Sequence, residues 1–576
     1  MGPPSEPPPS LPSPQPSVPV ADWFVDPRSP LAWGFVRTGP VLAVCLCGLS
    51  FWTFNSFPLW ITDTWSHVKY GQWIVEHGRL PEREPFCRFA DPDQPLIDYW
   101  WLCQIGFYGV FTLGEWWSAG DPIRRTAGGV EMLLALQAGA MLGWVGCLLV
   151  AYIRRGGSVP WALTTVFAAL VVRILILVRL RPQLLGECCC AALLIGLART
   201  VPSRRALVVM PLIVALWANL HGSFGVGLLL LALLVIGRGI EVLWSATTLR
   251  PAALWQDRPW RRLGLTWLLA VLAVAVMHPY DGRLFEYVLR YGGHPNLADV
   301  IEWQPMPVDG FYLGVVILIA LTQALSRQWL SPGEWLVLVV FGVLPLVHRR
   351  WLVWWVMLIP WVLLPHWVAL GRRVAGGWWA RPSRPTFRKT LLAALAGFAA
   401  VSWSPACRWL ATGEPRPLER ITAAATPWVL VWSLRPSEPN PWTLPALQRT
   451  LQEYYPHGFQ GVVFTDDGLG DFLLWALPPE YPVMVYAHQH LFPPAYWREF
   501  MTVRSGAAGW DDILRRHQAN LIVLEPERHR NLCRQLRRDP DWAIVFDGPA
   551  IPFKPQAGSE LLIALRRQPA GTGAEP

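Results

Sequence analysis

The side chains best suited to chemistry are Asp63, His67 and Tyr70, in the segment Asp63–Gly71. Because they recur at i, i+4 and i+7, a helix would place a carboxylate, an imidazole and a phenol on one face. Following directly on an apolar run, that face would lie at a membrane surface, where Asp63 is a candidate general base for an acceptor hydroxyl or amine. The competing interpretation is an amphipathic interfacial helix whose polar face only meets water.

Polar side chains also gather at the ends of several later apolar runs. The members of this set are Arg173, Arg179, Arg181, Asn219, His221, His278, Glu302, His348, Arg349 and Arg350. A guanidinium group can hold phosphate oxygens through paired hydrogen bonds, so the arginines indicate a phosphate or diphosphate ligand. Two structural alternatives stay open: Arg173 could pair with Glu187, and Arg349 and Arg350 could extend to lipid headgroups.

The elements that position these residues are predicted to be membrane helices. Of 576 residues, 53% are hydrophobic and only 15% are charged, whereas about a quarter of a soluble protein is charged. We predict about eleven transmembrane helices, because several apolar runs approach the roughly 20 residues that cross a bilayer. They lie near 40–59, 130–153, 158–178, 183–198, 206–220, 223–237, 263–277, 311–325, 332–347, 351–370 and 390–404.

The arginines between these runs predict the topology. Clusters at 154–155, 199–205, 258–262 and 372–389 all fall on one side of the predicted bundle, which the positive-inside rule makes cytoplasmic. The net charge of +9 is thus explained without nucleic acid as a partner. We predict a disordered Pro-rich cytoplasmic tail at 1–38 and a membrane domain at 39–412, with its first outer loop at 60–129.

From Gly413 the pattern changes to short β-rich runs that alternate with helix-like stretches. The runs are 461–465, 483–487, 520–524, 542–546 and 561–565. They predict a soluble α/β domain at 413–576 with a largely parallel sheet. An odd number of spans places this domain outside the cytoplasm. Its Asp466-Asp467-Gly468 resembles a ligand-binding turn, but a helix N-cap after a strand is the favoured interpretation.

The ten cysteines show no zinc-binding spacing, and several lie inside the apolar runs. Cys87 and Cys103 share the first outer loop, but spacing alone does not establish a disulfide between them.

The order of the polar segments resembles a known superfamily. The matching segments are Asp63–Pro81, Asp98–Leu102, Arg181-Pro182, Asn219–Gly222, His278–Tyr280, Glu302-Trp303, His348–Arg350 and, in the C-terminal part, Gly470–Trp475. Together they are similar to an uncharacterised bacterial branch of the class C (GT-C) glycosyltransferases. That superfamily includes protein O-mannosyltransferases and the aminoarabinose transferase that acts on lipid A. The likeness covers roughly residues 40–410 and 461–526.

The resemblance implies a polyprenyl-phosphate sugar donor, an acidic catalytic base in the first outer loop, and inversion at the anomeric carbon. Asp63 matches the position of that base. Residues expected at the donor or substrate are His67, Lys69, Tyr70, Arg181, His221, Glu302, Arg349 and Arg350. Relatives carry two adjacent acidic residues, whereas Thr64 follows Asp63 here. One carboxylate is a poor cation site, so we predict no metal ligand, and dependence on a divalent cation stays open.

The expected protein is a multi-pass glycosyltransferase of the inner (plasma) membrane, with a cytoplasmic N-terminus. Its partners would be the lipid bilayer, a polyprenyl-phosphate-linked sugar and an unknown acceptor. Asp91, Asp93 and Asp98 receive no role.

Two other classes of function stay open. One is a non-catalytic membrane scaffold. The other is a transporter or flippase for lipid-linked intermediates, which would require charged residues near the bilayer midplane and an inverted repeat.

Overall fold

The computed structural model describes most of the chain, with gaps. The described residues are 36–60, 63–176, 180–199, 201–245, 251–326, 328–374, 385–423, 426–435, 440, 442–550 and 560–567. The predicted Pro-rich tail falls almost entirely on residues 1–35, outside this set, and so does Arg179.

The N-terminal part is helical. Its helices are α1 (Thr38–Ser56), α2 (Thr64–His77), α3 (Trp101–Trp117), α4 (Pro122–Gly156), α5 (Val159–Ile176), α6 (Pro182–Leu197), α7 (Ala206–Leu220), α8 (Phe224–Ser245), α9 (Ala252–Gln256), α10 (Arg258–Met277), α11 (Arg283–Tyr291), α12 (Gly310–Leu325), α13 (Pro332–Val347), α14 (Leu352–Val374), α15 (Phe387–Ser402) and α16 (Pro405–Thr412). Each of the eleven apolar runs forms one of these helices.

The helix lengths do not support eleven spans. Among the described residues, five helices are long and apolar enough to cross a membrane: α1, α4, α8, α10 and the segment Arg349–Arg373. A sixth is possible if α15 and α16, bent by 69°, form one span. The other five apolar helices have 15–18 residues. At 1.5 Å per residue, such helices fall short of the roughly 30 Å hydrocarbon layer. The chain is therefore consistent with a polytopic membrane protein, but the predicted count is not confirmed.

Close helix crossings hold the first outer loop in place. Gly71 on α2 lies against α3, where an added Cβ would come within 2.1 Å of the carbonyl oxygen of Gln104. Only glycine permits this approach, because any side chain would overlap the α3 backbone. The contact sets the distance between the polar side chains of the two helices.

The C-terminal part is a small α/β unit. Its elements are α17 (Leu418–Ile421), α18 (Trp428–Leu434), α19 (Pro445–Tyr454), β1 (Val462–Phe464), α20 (Asp467–Ala476), α21 (Pro494–Ser505), α22 (Trp510–Arg516), β2 (Ala519–Leu524), α23 (Arg530–Leu536), β3 (Trp542–Pro549) and β4 (Glu560–Arg566).

The order of the described strands is β1-β2-β4-β3, and among them only β1 and β2 are parallel. The prediction of a largely parallel sheet was wrong, because β4 returns to insert between β2 and β3 and runs antiparallel to both. The run 483–487 forms a single bridge, Val483 to Val463, and no full strand.

This C-terminal unit packs directly on the first outer loop. Trp65 of α2 is buried, and its ring lies 4.3 Å from that of Trp475 and 5.3 Å from that of Phe472, both on α20. The hydroxyl groups of Tyr70 and Tyr486 both donate to the carboxylate of Glu84. The two parts therefore lie at the same end of the helical bundle, whatever the number of spans.

We expect the C-terminus to be outside the cytoplasm, because the C-terminal unit is buried against the predicted outer loop. A reporter active only in the cytoplasm, fused after Pro576, should give no signal. The same reporter fused to a chain ending at Gly157, in a predicted cytoplasmic turn, should be active. An active fusion at Pro576 with a silent one at Gly157 would invert the topology.

Candidate active site

The first outer loop is tied to the other turns at the same end of the bundle. The Asp98 backbone N–H donates to the Tyr280 hydroxyl at 3.2 Å, and the Trp101 indole N–H donates to the Asn219 side chain at 2.9 Å. The Thr64 hydroxyl donates to the carbonyl of Leu180, which joins the start of α2 to the turn before α6. Segments far apart in sequence thus converge, as expected of a site.

Arg181 lies at the centre of this convergence. Its Nε is 3.0 Å from both carboxylate oxygens of Asp63, and its Nη1 donates to the carboxylate of Glu302. Asp63 precedes α2, Arg181 precedes α6, and Glu302 lies in a 3₁₀ turn of the loop after α11. The three side chains keep only 16%, 26% and 25% of their surfaces exposed. Burial alone would lower the pKa of Arg181, but the two adjacent carboxylates hold it above its usual range.

An apolar cavity of about 140 Å³ opens beside this cluster. Aliphatic and aromatic side chains of α4, α5 and α14 line it, together with the charged residues Arg173, Arg181, Glu302, Arg349 and Arg350. Arg350 lies 4.2 Å above the ring of Trp303. Within the described part of the chain, neither Arg349 nor Arg350 forms an ion pair. Arg173 pairs with Glu187 at 3.2 Å, as the structural alternative for that residue proposes.

His67 does not reach this cavity. Its Nδ1 is 3.3 Å from the Gln104 amide nitrogen, and its ring lies 5.4 Å from that of Trp100. Burial, with a smaller contribution from the charge of Arg181, lowers the pKa of His67 to about 3. The imidazole is therefore neutral at physiological pH and is not a phosphate-binding cation.

The predicted common face of α2 is divided by the fold. Tyr70 is buried in the Glu84 cluster, with its hydroxyl 2.9 Å from that of Tyr486. Lys69 lines a separate cleft of about 340 Å³ with Glu115, Arg435 and Trp475. The face was expected at the membrane surface, but the C-terminal unit covers it, so only Asp63 lies at the Arg181 cluster.

His221 stands close to the arginines without lining the cavity. It ends α7, is 7% exposed, and its Nδ1 lies 2.7 Å from the Ser223 hydroxyl. Burial, followed by the charges of Arg350 and Arg181, keeps its pKa well below the usual range. His221 is therefore also a neutral group.

Asp98 was given no role from sequence, yet its carboxyl group is almost completely buried. It is 1% exposed, and its Oδ1 accepts a 2.9 Å hydrogen bond from Gln104. Burial raises its pKa to about 7. The segment Asp98–Trp101 directly before α3 was visible in the sequence, but nothing in it indicated that this carboxyl group, rather than Asp91 or Asp93, is enclosed.

The C-terminal unit contributes two buried histidines, His488 and His490, which sequence reasoning missed. The His488 ring lies 5.9 Å from that of His67 and stacks on Trp100 at 5.1 Å. The alternation in His488-Gln489-His490 was the only available signal. By contrast, Asp466 accepts from the backbone N–H of Leu469 at 2.7 Å, which confirms its interpretation as a helix N-cap.

The described residues hold no group of three or more His, Cys, Asp or Glu side chains arranged to bind a metal ion. A metal cation bound between Asp63 and Glu302 would have to displace Arg181. Cys87 and Cys103 are both buried free thiols, and no disulfide joins them.

Comparison with known proteins finds no matching family model and no matching curated protein. Among solved structures, the chain is similar to the crystal structure of the Archaeoglobus fulgidus oligosaccharyltransferase in its apo form, with 12% sequence identity and a TM-score of 0.44. The match covers 85% of this chain and 69% of that chain.

The raised pKa of Asp98 predicts a pH-dependent stability. Between about pH 4 and pH 7 the folded protein holds a proton that the unfolded chain releases, so stability falls as the pH rises through this window. Asp98→Asn cannot titrate. Its melting temperature should therefore exceed that of the parent protein at pH 8, and this excess should be larger at pH 8 than at pH 5. Melting curves of the purified protein at both pH values provide the measurement.

The exposed Asp93 supplies the matched control for this experiment. In Asp93→Asn the difference in melting temperature between pH 5 and pH 8 should be the same as in the parent protein. Equal effects of Asp98→Asn at pH 5 and pH 8 would show that Asp98 is ionised in both conditions.

Proposed function

We propose that this protein is a membrane glycosyltransferase that moves a sugar from a polyprenyl-phosphate donor to an acceptor outside the cytoplasm. The observation that carries the proposal is the meeting of Asp63, Arg181 and Glu302 with an apolar, arginine-lined cavity at one end of the helical bundle. This combination suits a substrate with a hydrocarbon tail, an anionic link and a reacting carbon beside it.

The cavity supplies the donor site of this proposal. An apolar wall formed by residues such as Val353 and Met357 favours an isoprenoid chain, which loses contact with water there. Arg349 and Arg350 supply guanidinium groups for the phosphate oxygens, and their charge offsets the cost of placing an anion near hydrocarbon. Headgroup binding alone would not require the neighbouring carboxylates.

The proposed reaction is a direct displacement. The acceptor oxygen attacks the anomeric carbon, the bond from that carbon to the phosphate oxygen breaks, and the acceptor proton passes to Asp63. The polyprenyl phosphate leaves as an anion that the arginines stabilise, so no general acid is needed. Attack opposite the phosphate inverts the anomeric configuration.

Arg181 connects the two halves of this mechanism. It lines the donor cavity and also holds Asp63. A donor phosphate in the cavity would compete for the same guanidinium and loosen its hold on the carboxylate. Asp63 would then become a better base when the donor is in place, and Glu302 would keep Arg181 oriented.

The proposed setting is the plasma membrane, with the site at its extracytoplasmic face. The scaffold and flippase alternatives both predict that no glycosidic bond forms, which sets them apart from the enzyme in the experiments that follow.

Loss of the paired arginines should weaken donor binding. We expect Arg349→Gln with Arg350→Gln to raise the KM for a polyprenyl-phosphate sugar by roughly 10–100-fold, as lost charge-assisted hydrogen bonds would. The matched control is Arg372→Gln with Arg373→Gln, at the other end of α14, which should leave this KM unchanged. If both double variants behave alike, the arginines at the cavity do not bind the donor.

Loss of the carboxylate at position 63 should slow the chemical step. Asp63→Asn keeps the side-chain shape but removes its basicity, and kcat should fall by roughly 10²–10⁴-fold. Sugar transfer in proteoliposomes is the measurement, with Asp93→Asn as the exposed control and the melting temperature as a check of folding. Near-normal turnover of Asp63→Asn would assign the base to another residue, and no turnover of the parent protein would favour the scaffold.

A further inference from the structure

Where the first outer loop meets the C-terminal unit lies a cluster of buried polar side chains, here called the His488 cluster. Its members are Asp98, Gln104, His488 and His490, each no more than 4% exposed. The cluster joins residues almost 400 positions apart in the chain, and the mechanism above uses none of them.

Six polar atoms of this cluster have no hydrogen-bond partner among the described residues. They are both ring nitrogens of His488, both ring nitrogens of His490, Oδ2 of Asp98 and Oε1 of Gln104. Folded proteins satisfy most buried polar atoms, so such a concentration calls for an explanation. The other unpartnered atoms of the described chain are mostly single indole or guanidinium nitrogens.

The chemistry of the six atoms indicates what would satisfy them. Burial keeps the pKa of both histidines well below the usual range, so each neutral ring offers one donor and one acceptor. Asp98 and Gln104 add acceptors. The described residues of the cluster form no group of three or more metal ligands, and a phosphate would find no positive charge. Hydroxyl groups, which donate and accept, match the set.

Aromatic rings bound the cluster. Trp100 stacks on His488 at 5.1 Å, and the half-buried Tyr291 lies 4.7 Å from His490. Such faces pack against the apolar C–H surface of a sugar ring, while the ring's hydroxyl groups reach the polar atoms beside them. A ligand with many hydroxyls and an apolar face is a carbohydrate.

The cluster also lies on the acceptor side of the site. Tyr291 is 5.4 Å from Trp303, which lies under Arg350, so the ring contacts lead from His490 toward the donor cavity. On the other flank, His488 neighbours His67, one helical turn from Asp63. A ligand held here would lie next to His67, one helical turn from Asp63.

We propose that the His488 cluster is the acceptor site and that the acceptor is a carbohydrate whose hydroxyl groups bind His488, His490 and Asp98. This inference rests on the proposed function for its place in a reaction. It makes the C-terminal unit part of the active site, because the site is incomplete without the segment 486–492.

The test uses the purified full-length protein in lipid nanodiscs, with the methyl glycosides of glucose, galactose and mannose as probes. Saturation-transfer NMR should show binding of at least one glycoside to the parent protein. His488→Asn and His490→Asn should weaken that binding about tenfold or more, whereas the exposed His457→Asn should not. Hydrogen exchange in 486–492 of the parent protein should slow when the same glycoside is added, a measurement that needs no variant to fold.

No binding of any glycoside to the parent protein, or equal binding by the His488 and His490 variants, would overturn the acceptor site. Binding of undecaprenyl phosphate, measured on the same samples, separates the two proposals. If the parent protein binds undecaprenyl phosphate but no glycoside, only the proposed carbohydrate acceptor site is refuted. If the parent protein binds neither, the proposed glycosyltransferase function is refuted as well.

Discussion

The guanidinium of Arg181 is the interaction on which the rest of the site depends. It holds Asp63 at the start of α2 and Glu302 in the loop after α11, and it lies directly before α6. Two carboxylates this close would repel each other without it, and removing one partner of a largely enclosed ion pair leaves an uncompensated charge. The same group faces the apolar cavity, so one side chain couples the acidic cluster to the place where an anionic lipid would bind.

The C-terminal unit has a second structural role, because it encloses the first outer loop. Trp65 is buried against α20, and Glu84 joins Tyr70 to Tyr486. These contacts exclude water from the face of α2 that carries His67. Exclusion of water keeps the buried histidines neutral and raises the pKa of Asp98, so the electrostatic character of the region results from packing. The arginines at the cavity carry the positive charge, and the inner cluster carries none.

This separation of charge suits the transfer that we propose. An anionic leaving group requires fixed cations, which Arg349 and Arg350 can provide just before the start of α14. A hydroxyl nucleophile requires a base and neutral hydrogen-bond partners, which Asp63 and the histidine rings can provide. Placing the two environments on opposite sides of Trp303 and Tyr291 keeps the cations from competing for the acceptor.

Sequence alone determined the local features of this protein. Each of the eleven apolar runs predicted a helix that forms, and charge at the outer turns indicated Asp63, Arg181, Glu302 and the Arg349-Arg350 pair as candidate site residues, because hydropathy and charge are read over neighbouring residues. Tertiary structure decided the rest. It divided the predicted face of α2 and inserted β4 into the sheet, and in the described part of the chain it left five or six helices long enough to span a membrane. It also stacked His488 on Trp100, beside the buried Asp98. Contacts between residues almost 400 positions apart leave no periodicity in a sequence, since they arise only when separate surfaces pack together.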